Sequence, residues 1–359
     1  MSKRTRTTTD ASFSKGSKKP RISTPSPYGP FWNGTTIDPE IIAVLKSNRD
    51  DAFHYDEETS RLDLVQEVWE FTIIPFLNVK ELALFRPTCR WCDEQWQEFL
   101  KRNTFRVPEQ VPTIDEAMRI GFNLSKQKIY SKEIPLVVVL SEGEHVVEET
   151  RVEHGGVSQN TLGITCSNIS FIGQGKDKTT VHGEFRMSNK KNVTVKSLTL
   201  TNPKGNGLRV RGEEASVEMM GVTVKECGGR GLFVKSGAVK ATQCEFSENK
   251  SHAVAVTRGT KGIFTDCSIH HNGGDGVYAL EEGTLVELRG EQTEIHHNGG
   301  DGLDAFSNNT INIYIPSRSI TALVHDNGGR DLNTFNGGKI LSQLSSSSLE
   351  LTVIHPVPQ

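Results

Sequence analysis

The chain has 359 residues, enough for two or three domains and a sizeable core. Its 41 basic and 44 acidic residues leave a net charge of −3, which excludes a global bias toward nucleic acid or anionic membrane. No apolar run approaches the ~20 residues a spanning helix needs, so no membrane partner is expected.

Residues 1–35 are rich in Lys, Arg, Ser, Thr and Pro with almost nothing to bury, and read as a disordered tail. Within the tail, Lys3-Arg4 and Lys18-Lys19-Pro20-Arg21 resemble a two-part nuclear import signal. The N-terminus has basic residues but no apolar stretch, so no secretory signal is read there and an intracellular chain, nuclear or cytoplasmic, is expected. The six cysteines are then expected to stay reduced. Composition changes along the chain. All four tryptophans (Trp32, Trp69, Trp91, Trp96) lie in the first hundred residues, whereas only Gly16, Gly29, Gly34 and Gly121 of 33 glycines precede position 140. A boundary near 105–112 follows.

The segment 60–105 carries apolar residues at helical spacing (Leu64, Val68, Phe71, then Leu82, Phe85, Cys89, Cys92, Trp96), with Pro75 and Pro87 dividing it into short helices. Cys89 and Cys92 form a Cys-x-x-Cys, but no second ligand pair follows at zinc spacing, so they read as packing residues. Leu64, Glu67, Val68, Pro75-Phe76-Leu77, Lys80-Glu81-Leu82, Cys89-Arg90-Trp91 and Trp96 resemble the pattern of an F-box. Val65 stands where that family has proline, and Trp91 follows Cys89 closely. The resemblance implies docking onto a Skp-type adaptor of a cullin–RING ubiquitin ligase through Leu64, Val68, Phe76, Leu77 and Leu82.

Behind this module, VPTIDEAMRIGFNLSKQ reads as an amphipathic helix with Ile114, Ala117, Met118 and Phe122 on one side, placed to cap a solenoid. The solenoid itself is written as a repeat. LTNPKGNGLRV, VKECGGRGLFV, FSENKSHAVAV, IHHNGGDGVYA, IHHNGGDGLDA and VHDNGGRDLNT start at 200, 224, 246, 269, 295 and 324. Periods of 22 to 29 residues with strand-like halves point to a parallel β-helix. The first column (Leu200, Val224, Phe246, Ile269, Ile295, Val324) is apolar and therefore inward, and Leu198, Val222, Cys244, Cys267, Thr293 and Ala322 are read on the same strand face. Asn249, Asn272, Asn298 and Asn327 fall in register and predict an amide ladder. Small residues follow at Gly207, Gly231, Ala253, Gly276 and Gly302, and then a second alternating strand. Gly173-Gln-Gly-Lys-Asp-Lys-Thr lacks phosphate-loop spacing and reads as a turn between strands. These segments resemble the right-handed parallel β-helix proteins of the pectin-lyase-like superfamily, over 108–345. The expected fold is therefore mainly β: a right-handed parallel β-helix solenoid preceded by a small α-helical F-box-like module and a disordered N-terminal tail.

That superfamily includes polysaccharide lyases, hydrolases and epimerases, so the polar columns need weighing. His270, His296 and His325 share one column, Asp275 and Asp301 another, and Asp304 points outward one strand position beyond; together they form a candidate surface site. Stacked imidazoles could ligate zinc or copper, but a ladder holds them parallel where a metal needs them convergent, so neither metal nor cofactor is assigned. No lyase or hydrolase signature accompanies the carboxylates, and no catalytic residue is assigned. The joint resemblance implies a protein-binding adaptor, a substrate-recognition subunit of a cullin–RING ligase with the β-helix facing an unidentified protein target. The alternatives are a β-helix structural or interaction protein without a ubiquitin role, and an enzyme acting on polysaccharide.

Overall fold

The computed structural model describes residues 31–32, 53–56, 61–64, 103–126, 130–150, 159–315, 317–343 and 351–353. The chain divides into two compact units. In the first, Arg61–Leu64 lies between Phe31–Trp32 and Phe53–Asp56 in an antiparallel sheet. Two expectations change here. Phe31–Trp32, placed in the tail, is a strand, and its two aromatic side chains suit one. Leu64, expected on a helix, ends a strand in which Leu62 and Leu64 alternate with charged residues. Residues 65–102 of the F-box-like segment, with Val68, Phe76, Leu77, Leu82, Cys89 and Cys92, lie outside the described residues.

The second unit contains the coil. Three parallel sheets run along it, and from Leu136 onward each turn of chain passes through all three in the same order. Face one begins at Thr104–Val107 and Leu136–Leu140 and continues through Ile169–Ile172 to Thr310–Tyr314 and Lys339–Gln343. Face two runs from Gly143–Val146 through Thr223–Lys225, Glu245–Ser247, Ser268–His270 and Glu294–His296 to Val324–His325. Face three contains Glu184–Ser188, Leu208–Arg211, Leu232–Lys235, Val254–Thr257, Val277–Leu280, Leu303–Phe306 and Leu332–Phe335. The coil begins at Thr104, slightly ahead of the expected 108, because Thr104–Val107 pairs with Leu136–Leu140. Its last strand on face one, Lys339–Gln343, pairs antiparallel with Leu351–Val353.

The core is a set of stacked columns. Leu200, Val224, Phe246, Ile269, Ile295 and Val324 are all buried, as their apolar column requires; a fully buried side chain of this kind contributes roughly 1.5–3 kcal/mol. Leu198, Cys244 and Cys267 are also buried, but at a bend rather than within a strand. Ser197, Gln243 and Asp266 just before them adopt left-handed φ values of 55°, 52° and 51°, which turn the chain from face one into face two. Ala322 is instead exposed, in a short helix, Ile320–Leu323.

The asparagine ladder is present, buried at Asn249, Asn272 and Asn298 and half-buried at Asn327. Asn249 Nδ2 donates to Asn272 Oδ1 at 2.8 Å, Asn272 Nδ2 to Asn298 Oδ1 at 2.9 Å, and Asn298 Nδ2 to Asn327 Oδ1 at 2.9 Å. Each oxygen also accepts the backbone N–H of the preceding rung's asparagine. The series ends on Asp331, whose Oδ1 accepts from Asn327 Nδ2 at 2.9 Å. Close stacking after the ladder explains the small-residue column. A Cβ on Gly276 would lie 2.7 Å from Ile295 Cγ2 and from the Gly302 carbonyl oxygen.

The helix Ile114–Ser125 packs on the first strands, with Thr113 capping its N-terminus by accepting from the Glu116 N–H. Ile114, Ala117, Met118, Ile120, Gly121 and Leu124 form its buried side. Phe122, expected on that side, is 42% exposed and has the Lys126 ammonium over its ring. At about 100° per residue it falls just beyond the edge of the buried arc.

Candidate functional site

Two polar arrays flank the Asn-Gly-Gly corner between face two and face three. The first lies on face three. Outward positions there are in register from Arg186 through Arg209, Phe233, Ala255, Tyr278 and Asp304 to Asn333. Beside this column, at the entry to each strand, stand Asn206, Arg230, His252, Asp275, Asp301 and Arg330.

The entry column is partly structural. Asp275 Oδ1 accepts the Asp301 backbone N–H at 2.8 Å, and Asp301 Oδ1 accepts that of Arg330 at 2.6 Å. Asn206 does the same for Arg230 at 2.9 Å, and His252 Nδ1 for Asp275 at 3.2 Å. One oxygen of each aspartate thus satisfies a backbone donor of the next rung, a demand that recurs wherever an open corner leaves an N–H unpaired. The other oxygen of Asp275 stays within the entry column, whereas that of Asp301 faces the strand column. Asp275 Oδ2 lies 3.0 Å from His252 Nδ1, and Asn333 Nδ2 donates to both Asp301 Oδ2 (2.9 Å) and Asp304 Oδ1 (3.2 Å).

Asp304 points outward as expected, yet only 8% of it is exposed because its neighbours cover it. Burial, with Asp275 and Asp301 adding like charge, pushes its carboxyl up to about 6. Tyr278 is register-paired with Asp304, and burial together with Asp304 and Asp275 raises its phenol. Its ring stacks on His252 with centroids 4.8 Å apart. Arg230 lies over Phe233, its guanidinium carbon 4.6 Å from the ring centroid, and its Nε is buried with no hydrogen-bond partner. Further along, Glu184 is buried against Arg209 Nε at 2.7 Å. Open grooves of 240 and 300 Å³ occur on face one and beside Asn202–Lys204, and this cluster lines neither.

The second array lies outside the corner at the end of face two. His270, His296 and His325 stack with centroids 5.2 and 5.3 Å apart, and His271 stacks on His297 at 5.1 Å. Burial lowers the pKa of His270 and of His296. His325 is raised, because Asp326 and Glu294 hydrogen-bond its two nitrogens at 2.8 and 3.0 Å.

The structure therefore divides the expected surface site into two: the histidines on one side of the corner, and Asp275, Asp301 and Asp304 on the other. His252 and Asn333 were not singled out from the sequence. Both were readable by extending the columns one rung in each direction, since His252 precedes Val254 as Asp275 precedes Val277.

A coil of stacked parallel strands with an internal asparagine ladder defines a β-helix protein, and a family comparison agrees. The chain matches the right-handed β-helix region over residues 119–263 and 183–322, and belongs to that family. Comparison with curated proteins finds no match. Among solved structures it is similar to the A-module of the Azotobacter vinelandii mannuronan C-5 epimerase AlgE4, with 15% identity, 64% of this chain and 76% of that one covered, and a TM-score of 0.38. ORF18 of Geobacillus virus E2 gives 12% identity, 73% and 59% coverage and a TM-score of 0.39. Pectate lyase Pel9A gives 13% identity, 62% and 70% coverage and 0.37.

Proposed function

We propose that the protein is a recognition scaffold whose face three binds an extended segment of a partner protein. The observation that carries this reading is a preassembled polar network on an open face beside a buried guanidinium nitrogen that lacks an acceptor. An unpaired buried donor costs about 1–3 kcal/mol, which a shift of the half-buried Arg230 side chain onto a partner's carboxylate or carbonyl would recover. Columns repeating every ~4.8 Å suit a partner that runs along them. Such a partner would place an acidic or carbonyl group at Arg230 and a basic group near Asp301 and Asp304. The test is crosslinking of the full chain to its partners in lysate, with mass spectrometry of the linked peptides. Links on face three that are lost in Arg230→Ala and Asp304→Ala support the reading; links unaffected by both variants refute it.

Asp304 favours a second reading, because a carboxyl titrating near 6 beside a tyrosine and a histidine can transfer a proton. The substrate would be a sugar-acid polymer. Incorporation of solvent deuterium into polyuronate by the wild type, but not by Asp304→Asn, would establish it; no incorporation by the wild type would remove it.

Recruitment of a Skp-type adaptor through Val68, Phe76, Leu77 and Leu82 rests on the F-box resemblance. Co-purification with such an adaptor, lost in Leu77→Asp, is the expected result. Failure of the wild type to bind leaves the scaffold without a ubiquitin role.

A further inference from the structure

We propose that the paired histidines outside the face-two corner form a copper(II)-class metal site, in which His270 with His271, and His296 with His297, each chelate one ion through their two Nδ1 atoms.

Adjacent residues of a strand point to opposite sides, so two neighbouring histidines should not meet. Here the second of each pair is not in the strand. His271 and His297 adopt left-handed φ values of 54° and 53° at the corner, which swing their rings round to the same side as His270 and His296. The rings of each pair stand nearly perpendicular, at 87° and 89°. Their Nδ1 atoms converge to 2.9 Å in the first pair and 2.8 Å in the second. The ladder that holds rings parallel from rung to rung thus holds them convergent within each rung.

The separation selects a geometry. With metal–nitrogen bonds of 2.0–2.1 Å, two ligands at a right angle lie about 2.9 Å apart, whereas tetrahedral ligands lie about 3.4 Å apart. The pairs fit the cis positions of a tetragonal ion, and copper(II) heads the affinity order for imidazole nitrogen. In the empty site one Nδ1 of each pair must carry a hydrogen that it donates to the other. His271 and His297 are exposed, so each can move that hydrogen to its other ring nitrogen and present a second lone pair. On the first rung, Glu245 Oε1 lies 3.6 Å from His270 Nε2, on the side away from the pair, where its negative charge favours a cation held by that ring.

Among the described residues no group of three or more His, Cys, Asp or Glu is placed to hold a metal ion, so water would complete each coordination sphere. The two sites are stacked at about 5 Å, and in water the charge of a first divalent ion weakens the second by about a hundredfold. The third rung supplies an internal control. Both nitrogens of His325 face carboxylates, at Asp326 and Glu294, and none remains free for a metal.

The test uses the untagged full chain, stripped with chelator and titrated with copper(II), nickel(II) and zinc(II) separately, followed by calorimetry and, for copper, electron paramagnetic resonance. Expected are one tight and one weaker copper per chain, a tetragonal spectrum with splitting from two nitrogens, and copper affinity at least tenfold above zinc. His271→Asn with His297→Asn keeps a side chain that tolerates the left-handed corner while removing one ligand of each pair; copper affinity should fall more than tenfold. His325→Ala should bind as the wild type does. If the Asn variant does not fold, His270→Ala with His296→Ala reports the same loss. Undiminished copper binding in the folded variant, zinc bound as tightly as copper, or a spectrum without nitrogen splitting overturns the proposal.

Discussion

His270 and Asn272 are two residues apart in the same motif, and both recur on the next rung, as His296 and Asn298. One pair lies outside the corner and the other inside it. Asn272 and Asn298 are 2% and 1% exposed, and each bonds the rungs on both sides and a backbone carbonyl. His270 and His296 are only partly buried, with partners limited to one another and nearby carboxylates. Repetition looks the same on both sides of the chain, but only inside does it answer a demand of folding. Outside, stacking preserves a side chain without requiring it, which leaves that column free for chemistry.

Four variants sharpen this contrast. The largest effect is expected from Asn272→Ala, which leaves the buried Asn249 N–H and Nδ2 without their acceptor and should cost about 3 kcal/mol in denaturant unfolding. Next is Gly276→Ala, whose added carbon meets Ile295 and the Gly302 backbone, for about 1–3 kcal/mol. Asp304→Asn should act in the opposite direction at neutral pH. The folded carboxyl titrates near 6, above the ~3.9 of an unfolded chain, so the folded state binds more protons between those values. Its contribution is fully present below about pH 4 and is lost as pH rises through 6. The variant should therefore melt above the wild type at pH 7, by the equivalent of about 1–2 kcal/mol, and the gap should close toward pH 4. The smallest effect is expected from the triple variant His270→Ala, His296→Ala, His325→Ala, within about 1 kcal/mol of the wild type at neutral pH. A triple variant as unstable as Asn272→Ala would erase the distinction between inside and outside.

Much of the coil was legible because stacking writes each structural slot into the sequence several times. The inward column from Leu200 to Val324 and the four asparagines needed only alignment. Most of what escaped had a local cause. Leu198, Cys244 and Cys267 lie at a bend, since a single left-handed residue before each breaks the strand alternation on which their placement was based. The same kind of residue brings His271 beside His270, which strand alternation forbids. Phe122 missed the buried arc of its helix by a fraction of a turn. Asp304 read as an outward residue and is one, but its burial depends on Tyr278, Asp301 and Asn333, which belong to three different stretches of sequence. The F-box-like pattern speaks through residues outside the described ones, apart from Leu64, which a period-two strand explains better.

The asparagine ladder also has a grammar. An amide both gives and receives, so every asparagine in the series implies another rung after it. Asp331 takes the bond from Asn327 with a carboxylate that only receives, and so closes the series. Everything between the opening and that final acceptor is made of interchangeable joints. Copying residues 269–294 once more in place would add a rung whose asparagine reads Asn272 on one side and Asn298 on the other. The end of this ladder is thus set by where its acceptor-only residue stands, and an in-register duplication would lengthen the ladder by one rung while keeping its amide pairing.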